Sequence, residues 1–433
     1  MLSALQINSP KRKKLRDSEW AKFFPYYAGF PEDFSTKILE SSGLPLSATI
    51  LDPWNGSGTT TFSAAQLGYK TYGIDLNPVM VLVARARSLS STEADSIVPQ
   101  ARSLAKDVAR VALKINDTDP LLQWFDASTA NCIRTIETRI RSRLVGSDNS
   151  DRNTQFERIS FFASTFYVAL FTVCRRLTSA YRSSNPTWLK TPKPGEPKIT
   201  ASPKEISTAF VQQAKCMADG LQTSDLLIDQ SRINISVGDT TTLKKRAFAD
   251  LILTSPPYCT RIDYTAATRV ELALISALLT EDRDALSQRM IGSIKVPTTV
   301  SEPSDLWGES ALKFLDRLKS HDSKASKTYY YKTHVDYFDK MSKSMKNLQY
   351  SLKDKGSAVL VVQDSYYKDL HNDVPTILTE MAENHGLKLA RREDFTQNNS
   401  LLGINSRSLK YRETSRAIES VICFENDSHK KKP

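Results

Sequence analysis

The stretch Asp250–Tyr258 reads Asp-Leu-Ile-Leu-Thr-Ser-Pro-Pro-Tyr. Its β-prone apolar run, Leu251–Leu253, halts at a hydroxyl, two prolines and an aromatic ring. Consecutive prolines can continue neither strand nor helix, so they make a rigid loop. Proline has no N–H, yet its carbonyl remains an acceptor. Ser255, Pro256, Pro257 and Tyr258 thus offer a hydroxyl, fixed carbonyls and a flat ring within four residues. That set can grip an amino group on a flat heterocycle.

Three acidic residues close other predicted strands. Ala48–Asp52 runs into Asp-Pro-Trp-Asn-Gly-Ser-Gly-Thr-Thr-Thr, and a helix over about Thr59–Leu67 follows, capped by Gly68. Gly56 and Gly58 are expected to let the backbone approach a ligand. Thr59 stands where a P-loop needs lysine, and Thr61 where a dinucleotide fingerprint needs its third glycine, so phosphate cradling is disfavoured. Asp52 would repel phosphate and attract an ammonium group. Lys70–Ile74 forms the next strand and ends at Asp75, about twenty residues past the glycine turn, where α/β nucleotide folds place an acceptor for ribose hydroxyls. Ile233–Val237 is closed by Gly238-Asp239, and a carboxylate there can accept from an exocyclic amino group such as adenine's.

Strands alternating with helices make the fold class α/β. Further strands are expected at Phe248–Leu253, Ala358–Val362, Leu387–Ala390 and Ser420–Phe424. Helices are expected at Pro78–Leu89, Ser91–Leu113, Thr135–Leu144, Phe161–Leu177, Ala266–Leu279, Tyr337–Leu352 and Val374–Asn384. After Pro31, Phe34, Ile38 and Leu39 share one helical face. The interval 91–231 carries a basic crowd, Arg134, Arg139, Arg141, Arg143, Arg152, Arg158, Arg175, Arg176 and Arg182, then a Pro/Lys-rich loop, Thr187–Pro203. Basic residues interleaved with aromatics suit a nucleic-acid groove. A second cluster comprises Arg391, Arg392, Arg407, Lys410, Arg412 and Arg416. Lys11–Lys14 lies in a basic N-terminal arm.

The 433 residues carry a net charge of +11, which favours a polyanionic partner. Five scattered cysteines show neither disulfide nor zinc spacing, so no metal and a reducing, cytoplasmic setting are expected. Ile159–Cys174 is too short and too often interrupted by Ser and Thr to span a membrane; it reads as a buried helix.

With these residues in view, the chain resembles the S-adenosylmethionine-dependent amino-DNA methyltransferases, most closely the Ser-Pro-Pro-Tyr type usual among cytosine-N4 enzymes. Asp52-Pro53-Trp54-Asn55-Gly56-Ser57-Gly58-Thr59 is similar to the family's cofactor loop, with Trp54 in place of Phe. Asp75 matches its ribose-binding acid and Asp239 the acid near the adenine amino group. Tyr26–Pro31 is similar to the segment that wraps the methionine end, although Tyr26 and Tyr27 depart from its His-Pro. The resemblance implies a Rossmann-like class I methyltransferase sheet with a large helical insertion. It implies S-adenosyl-L-methionine bound by Tyr27, Phe30, Asp52, Trp54, Asn55, Gly56, Gly58, Thr59, Asp75, Leu76, Asp239 and Thr240. It further implies that Ser255, Pro256, Pro257 and Tyr258 hold the amino group of a flipped base. Cys259 follows the tyrosine, whereas ring-carbon methyltransferases use a Pro-Cys dipeptide, so a nucleophilic role for it is disfavoured.

The implied partners are double-stranded DNA and a restriction endonuclease or other defence component, with no membrane. Adenine N6, an RNA amino group and a non-catalytic nucleic-acid-binding protein remain open alternatives. The expected organisation is a basic arm (1–19), methyltransferase segments at 20–90, 232–280 and 333–433, a helical insertion (91–231) and a basic insertion (281–332). Either insertion is a candidate for target recognition.

Overall fold

The computed structural model describes residues 2–11, 24, 29–110, 115–146, 151–183, 189–224, 227–259, 263–295, 298–323, 325–397 and 417–426. The chain's most apolar short segments become the strands β1 (Thr49–Asp52), β2 (Lys70–Asp75), β3 (Ile233–Val237), β4 (Ala249–Thr254) and β5 (Leu352–Gln363). A two-stranded hairpin follows, β6 (Ser365–Tyr367) and β7 (Leu370–Asn372), and then β8 (Leu387–Gln397) and β9 (Ala417–Asn426). The main sheet has the order β3-β2-β1-β4-β5-β9-β8. β1 to β5 pair in parallel, while β9 runs antiparallel between β5 and β8. Central β1 is buried throughout, as expected of a parallel strand covered on both faces.

The sequence order reverses between β1 and β4. In such sheets ligands bind beyond the strands' carboxyl ends at that switch point. The Rossmann-like α/β class with a helical insertion is therefore as expected.

The first helices are α1 (Glu32–Ser41), α2 (Thr59–Gln66) and α3 (Pro78–Arg87). All ten residues of α3 are buried, because the insertion packs on its outer side. That insertion contains α4 (Ala94–Ala105), α5 (Ala127–Ile140), α6 (Arg152–Glu157), α7 (Phe161–Leu177) and α8 (Pro203–Ser224). α7 is the helix expected at Phe161–Leu177, and its aromatics Phe166, Tyr167 and Phe171 share one apolar cluster with α3. Among the described residues no helix is long and apolar enough to cross a membrane.

Within the basic crowd of this insertion Arg134, Arg139, Arg141 and Arg175 are partly buried, while Arg143, Arg152, Arg158, Arg176 and Arg182 are exposed; several of them bind the insertion together. Arg134 forks onto Asp119 (3.0 Å) and donates to the carbonyls of Ala273 and Leu274. Arg139 donates to the Leu104 and Lys106 carbonyls, Arg143 to Ser103 and Arg152 to the Leu279 carbonyl. Arg175 pairs with buried Glu271 and lies over the Phe24 ring, 3.8 Å from its centroid. Helix ends leave carbonyls unsatisfied, and guanidinium groups with five donors fill them.

α9 (Tyr264–Ala267), α10 (Arg269–Leu274) and α11 (Arg283–Arg289) join the insertion's apolar cluster, while α12 (Glu309–Ser320), α13 (Tyr331–Ser351) and α14 (Val374–Asn384) cover the opposite face. The expected basic insertion at 281–332 is only partly a surface element. Its Phe314, Leu315 and Leu318 on α12 enter the core with Phe338 and Met341 of α13. The N-terminal segment contacts β8 over its described part. Leu2 and Leu5 are buried, and both their carbonyls accept from Arg391 on β8. Arg391 and Arg392 also pair with Glu393 and Asp394. Arg12 to Lys14, Arg407, Lys410, Arg412 and Arg416 lie outside the described residues.

Candidate active site

Four strand ends build one crevice. β1, β2 and β4 deliver Asp52, Asp75 and Ser255, and the turn after β3 delivers Asp239. The crevice is lined by Phe30, Asp52, Trp54, Asn55, Gly56, Thr59, Asp75, Leu76, Asp239, Thr240, Ser255, Pro256, Pro257 and Tyr258. Of the expected site residues, Tyr27 lies outside the described residues, and Gly58 does not line the crevice. Gly58 adopts φ +78°, and a Cβ there would stand 2.8 Å from Ala84 Cβ. Its missing side chain lets α3 pack against the turn rather than letting a ligand approach the backbone.

The turn after β1 is held from all sides. The Gly56 N–H donates to Asp75 Oδ2 at 2.8 Å, and the Asn55 N–H to the Ile74 carbonyl at 2.9 Å. The Asn55 side chain faces inward, where it accepts from Thr61 Oγ1 (3.0 Å) and fills the space beside Gly73. Arg87, buried in α3, donates to the Ser57 carbonyl and to Thr59 Oγ1, and pairs with Glu32 of α1 at 2.7 Å. Thr240 Oγ1 donates to the Pro53 carbonyl at 2.8 Å, which fixes the end of β3 against the turn.

The carboxylates are unusual. Burial pushes Asp52 up to about 6, against the pull of the Thr254 hydroxyl (2.6 Å) and the Trp54 N–H (3.1 Å). Burial likewise pushes Asp75 up to about 6, against donation from the Asn77 and Gly56 N–H groups. Burial is the main cause of both shifts, and among the described residues neither carboxylate is paired with a cation. This pair suits a ligand with positive charge and hydroxyl donors, so S-adenosylmethionine, a cationic nucleoside, fits the residues present. Asp239 differs: its Oδ2 meets Arg289 Nη2 at 3.2 Å, and Arg289 also bridges to Glu281 at 2.6 Å. Arg289, Met290 and Ile291, all from the 281–332 segment, close one side of the crevice. No local sequence signal couples Arg289 to Asp239 across fifty positions.

The Ser255–Tyr258 loop is polarised by its neighbours. Ser255 Oγ donates to the Val361 carbonyl of β5 at 3.0 Å, which commits its proton and leaves its oxygen able to accept. The Pro257 carbonyl accepts from Tyr337 Oη at 3.0 Å, and the Tyr258 N–H donates to Tyr264 Oη at 3.3 Å. Among the described residues no donor reaches the Pro256 carbonyl. Ser255 Oγ and Pro256 O thus keep acceptor capacity, and both residues line the crevice. Tyr264 and Tyr337 were missed by sequence reasoning, since nothing local distinguishes them from core aromatics. Cys259 is buried, with Asn372 Nδ2 3.5 Å from its sulfur, and is not among the residues lining the crevice. Among the described residues no cluster suits a metal ion.

Residues 4–85 match a family model described as DNA methylase, of N6/N4 type. The chain is 23% identical to the type II methyltransferase M.BsoBI of Geobacillus stearothermophilus over 272 residues, 58% of this chain and 51% of that one. It is 23% identical to the type II methyltransferase M.AvaI of Nostoc sp. over 320 residues, 68% of this chain and 61% of that one. The chain thus spans between half and two thirds of the length of these relatives. A TehB-like SAM-dependent methyltransferase from Corynebacterium glutamicum aligns with 90% of this chain and 85% of its own, at 9% identity and a TM-score of 0.28, too low to add to the argument. These matches bear out the resemblance to amino-DNA methyltransferases.

Proposed function

We propose that the protein is an S-adenosylmethionine-dependent DNA methyltransferase that modifies an exocyclic amino group, cytosine N4, of a base flipped from double-stranded DNA. The observation that carries this reading is the polarity of the Ser255–Tyr258 loop. The residues that carry its two available acceptors line the same crevice as Asp52 and Asp75. An amino group has two hydrogens and one lone pair. Donation of both hydrogens to Ser255 Oγ and Pro256 O fixes the nitrogen and leaves the lone pair directed away from the loop. Bound S-adenosylmethionine supplies the methyl group, activated on its sulfonium.

The rest is positioning, which lowers barriers by several kcal/mol when reacting groups are aligned. Asp75 accepts from ribose hydroxyls, Asp52 offers negative charge to the cationic end, and Phe30 and Trp54 wall the pocket. Tyr258 gives the extruded base a ring to stack on. The choice of cytosine N4 over adenine N6 rests on Ser255 as the first residue of the tetrapeptide. A restriction endonuclease or other defence component is the natural partner of such an activity.

The test is binding of labelled S-adenosylmethionine to wild type and to Ser255→Ala, followed by methyl transfer to DNA. Both proteins should bind the cofactor, and only wild type should transfer. Absence of binding by wild type would overturn the reading, and near-normal transfer by the variant would remove Ser255 from its assigned role.

A further inference from the structure

A second charged surface lies on the edge of the sheet opposite the crevice. Lys70 opens β2 at the far end from Asp75, and five residue steps of about 3.3 Å separate the two. The loop Lys244-Lys245-Arg246 leads into β4, and Lys355 lies near the start of β5. All five cations are exposed. Among the described residues none of them forms an ion pair; the nearby Asp250 is taken by Lys353 at 2.7 Å, and Asp354 lies beside Lys355 in sequence.

Aromatic rings hold three of these cations, Lys70, Lys245 and Arg246. Lys245 Nζ lies 3.8 Å from the Tyr72 ring centroid and 4.4 Å from that of Phe248. Lys70 Nζ approaches the same Tyr72 ring at 5.6 Å, and the two rings meet edge to face at 5.3 Å. The Arg246 guanidinium lies 5.9 Å from the Tyr350 ring, which is 44% exposed. The Ala247 and Phe248 N–H groups donate to the Tyr350 and Ser351 carbonyls, both at 2.9 Å, so the loop is pinned to the end of α13. Unpaired cations held at fixed spacing on an ordered backbone cost like-charge repulsion that a polyanion relieves.

We propose that this edge is a second nucleic-acid contact, binding the phosphodiester backbone of DNA at a distance from the methylated base. The surface is too far from the crevice for the target base itself. A distal segment of the same polymer would meet it at high effective concentration. The choice of nucleic acid as partner rests on the methyltransferase reading, but the binding needs no methyl transfer.

The test measures equilibrium binding of a labelled duplex, without cofactor, over a series of salt concentrations. The variant is Lys244→Gln/Lys245→Gln/Arg246→Gln, which keeps polar side chains at exposed loop positions. Cofactor binding, measured alongside, reports that the fold and the crevice are intact. Each lost phosphate contact lowers the salt slope by about 0.9, so the triple variant should lose up to about 2.7 in slope. Lys70→Gln alone, at a strand end, should lose about 0.9. An unchanged slope in both variants would overturn the proposal, even if their binding to anionic lipid vesicles fell instead. A reduced slope in a protein that transfers no methyl group would leave this surface assigned and overturn the activity alone.

Discussion

Asp52→Asn separates the electrostatics of the crevice from its packing. The folded Asp52 carboxyl sits at about 6 against an ordinary 3.8, because burial opposes its charge. At about 1.4 kcal/mol per pH unit, holding that charge costs about 3 kcal/mol. The sign follows from proton counting. Between about pH 4 and pH 6 the native state keeps a proton that the unfolded chain has released, so stability falls as pH rises through that window. Above about pH 7 the full penalty is present. Asparagine keeps the oxygen that accepts from Thr254 and Trp54 at nearly the same volume, without the charge. Without cofactor, Asp52→Asn should therefore be more stable than wild type by about 2–3 kcal/mol near pH 8, with the advantage vanishing near pH 4. Asp75, also at about 6, leaves a residual slope in both proteins. The variant should lose at least about tenfold in cofactor affinity, equivalent to about 1.4 kcal/mol. Urea unfolding across pH, with isothermal titration of the cofactor, measures both quantities. A variant that is less stable at every pH, or as steep in its pH dependence as wild type, would refute the reasoning.

Three further outcomes are expected. Wild-type cofactor affinity should rise with pH through about 6, since Asp52 and Asp75 must ionise to meet a cation; calorimetry in buffers of different ionisation heat would show the released protons. Tyr337→Phe strips the buried donor from the Pro257 carbonyl, a loss of about 1–3 kcal/mol. It should lower kcat about tenfold or more with cofactor affinity unchanged, and equal loss in both would place the tyrosine in cofactor binding instead. Arg289→Ala frees Asp239 from its ion pair, and if Asp239 accepts from the adenine amino group, cofactor affinity should rise by a few-fold; a fall would make Arg289 itself a cofactor contact.

Much of the site was legible because its parts sit at strand ends. β3, α7 and α14 match their expected spans, and the crevice residues follow from where β1, β2, β3 and β4 stop. Elements with weak periodic signals were lost. α8 begins at Pro203 directly after a proline-rich loop, and its Ile206, Phe210 and Ala214 are diluted by polar neighbours. The β6–β7 hairpin has three-residue strands and turns through Lys368 at φ +52°, without the glycine that usually marks such a turn. The internal bonds made by some arginines of the insertion were hidden for a different reason. Their partners are mostly backbone carbonyls, which every residue carries, so sequence cannot tell a solvated arginine from a buried one. Tyr264, Tyr337 and Arg289 belong to the site through tertiary packing alone.

Methyl transfer to an exocyclic amino group held by Ser255 and the Pro256 carbonyl leaves a mark on DNA. The most direct measurement is sequencing of DNA from cells expressing the protein, with a readout that distinguishes modified bases, beside cells expressing Ser255→Ala. The account predicts N4-methylcytosine at a recurrent sequence in the first and none in the second. N6-methyladenine would keep the chemistry and change the base; unmodified DNA in the presence of folded, cofactor-binding protein would contradict the account.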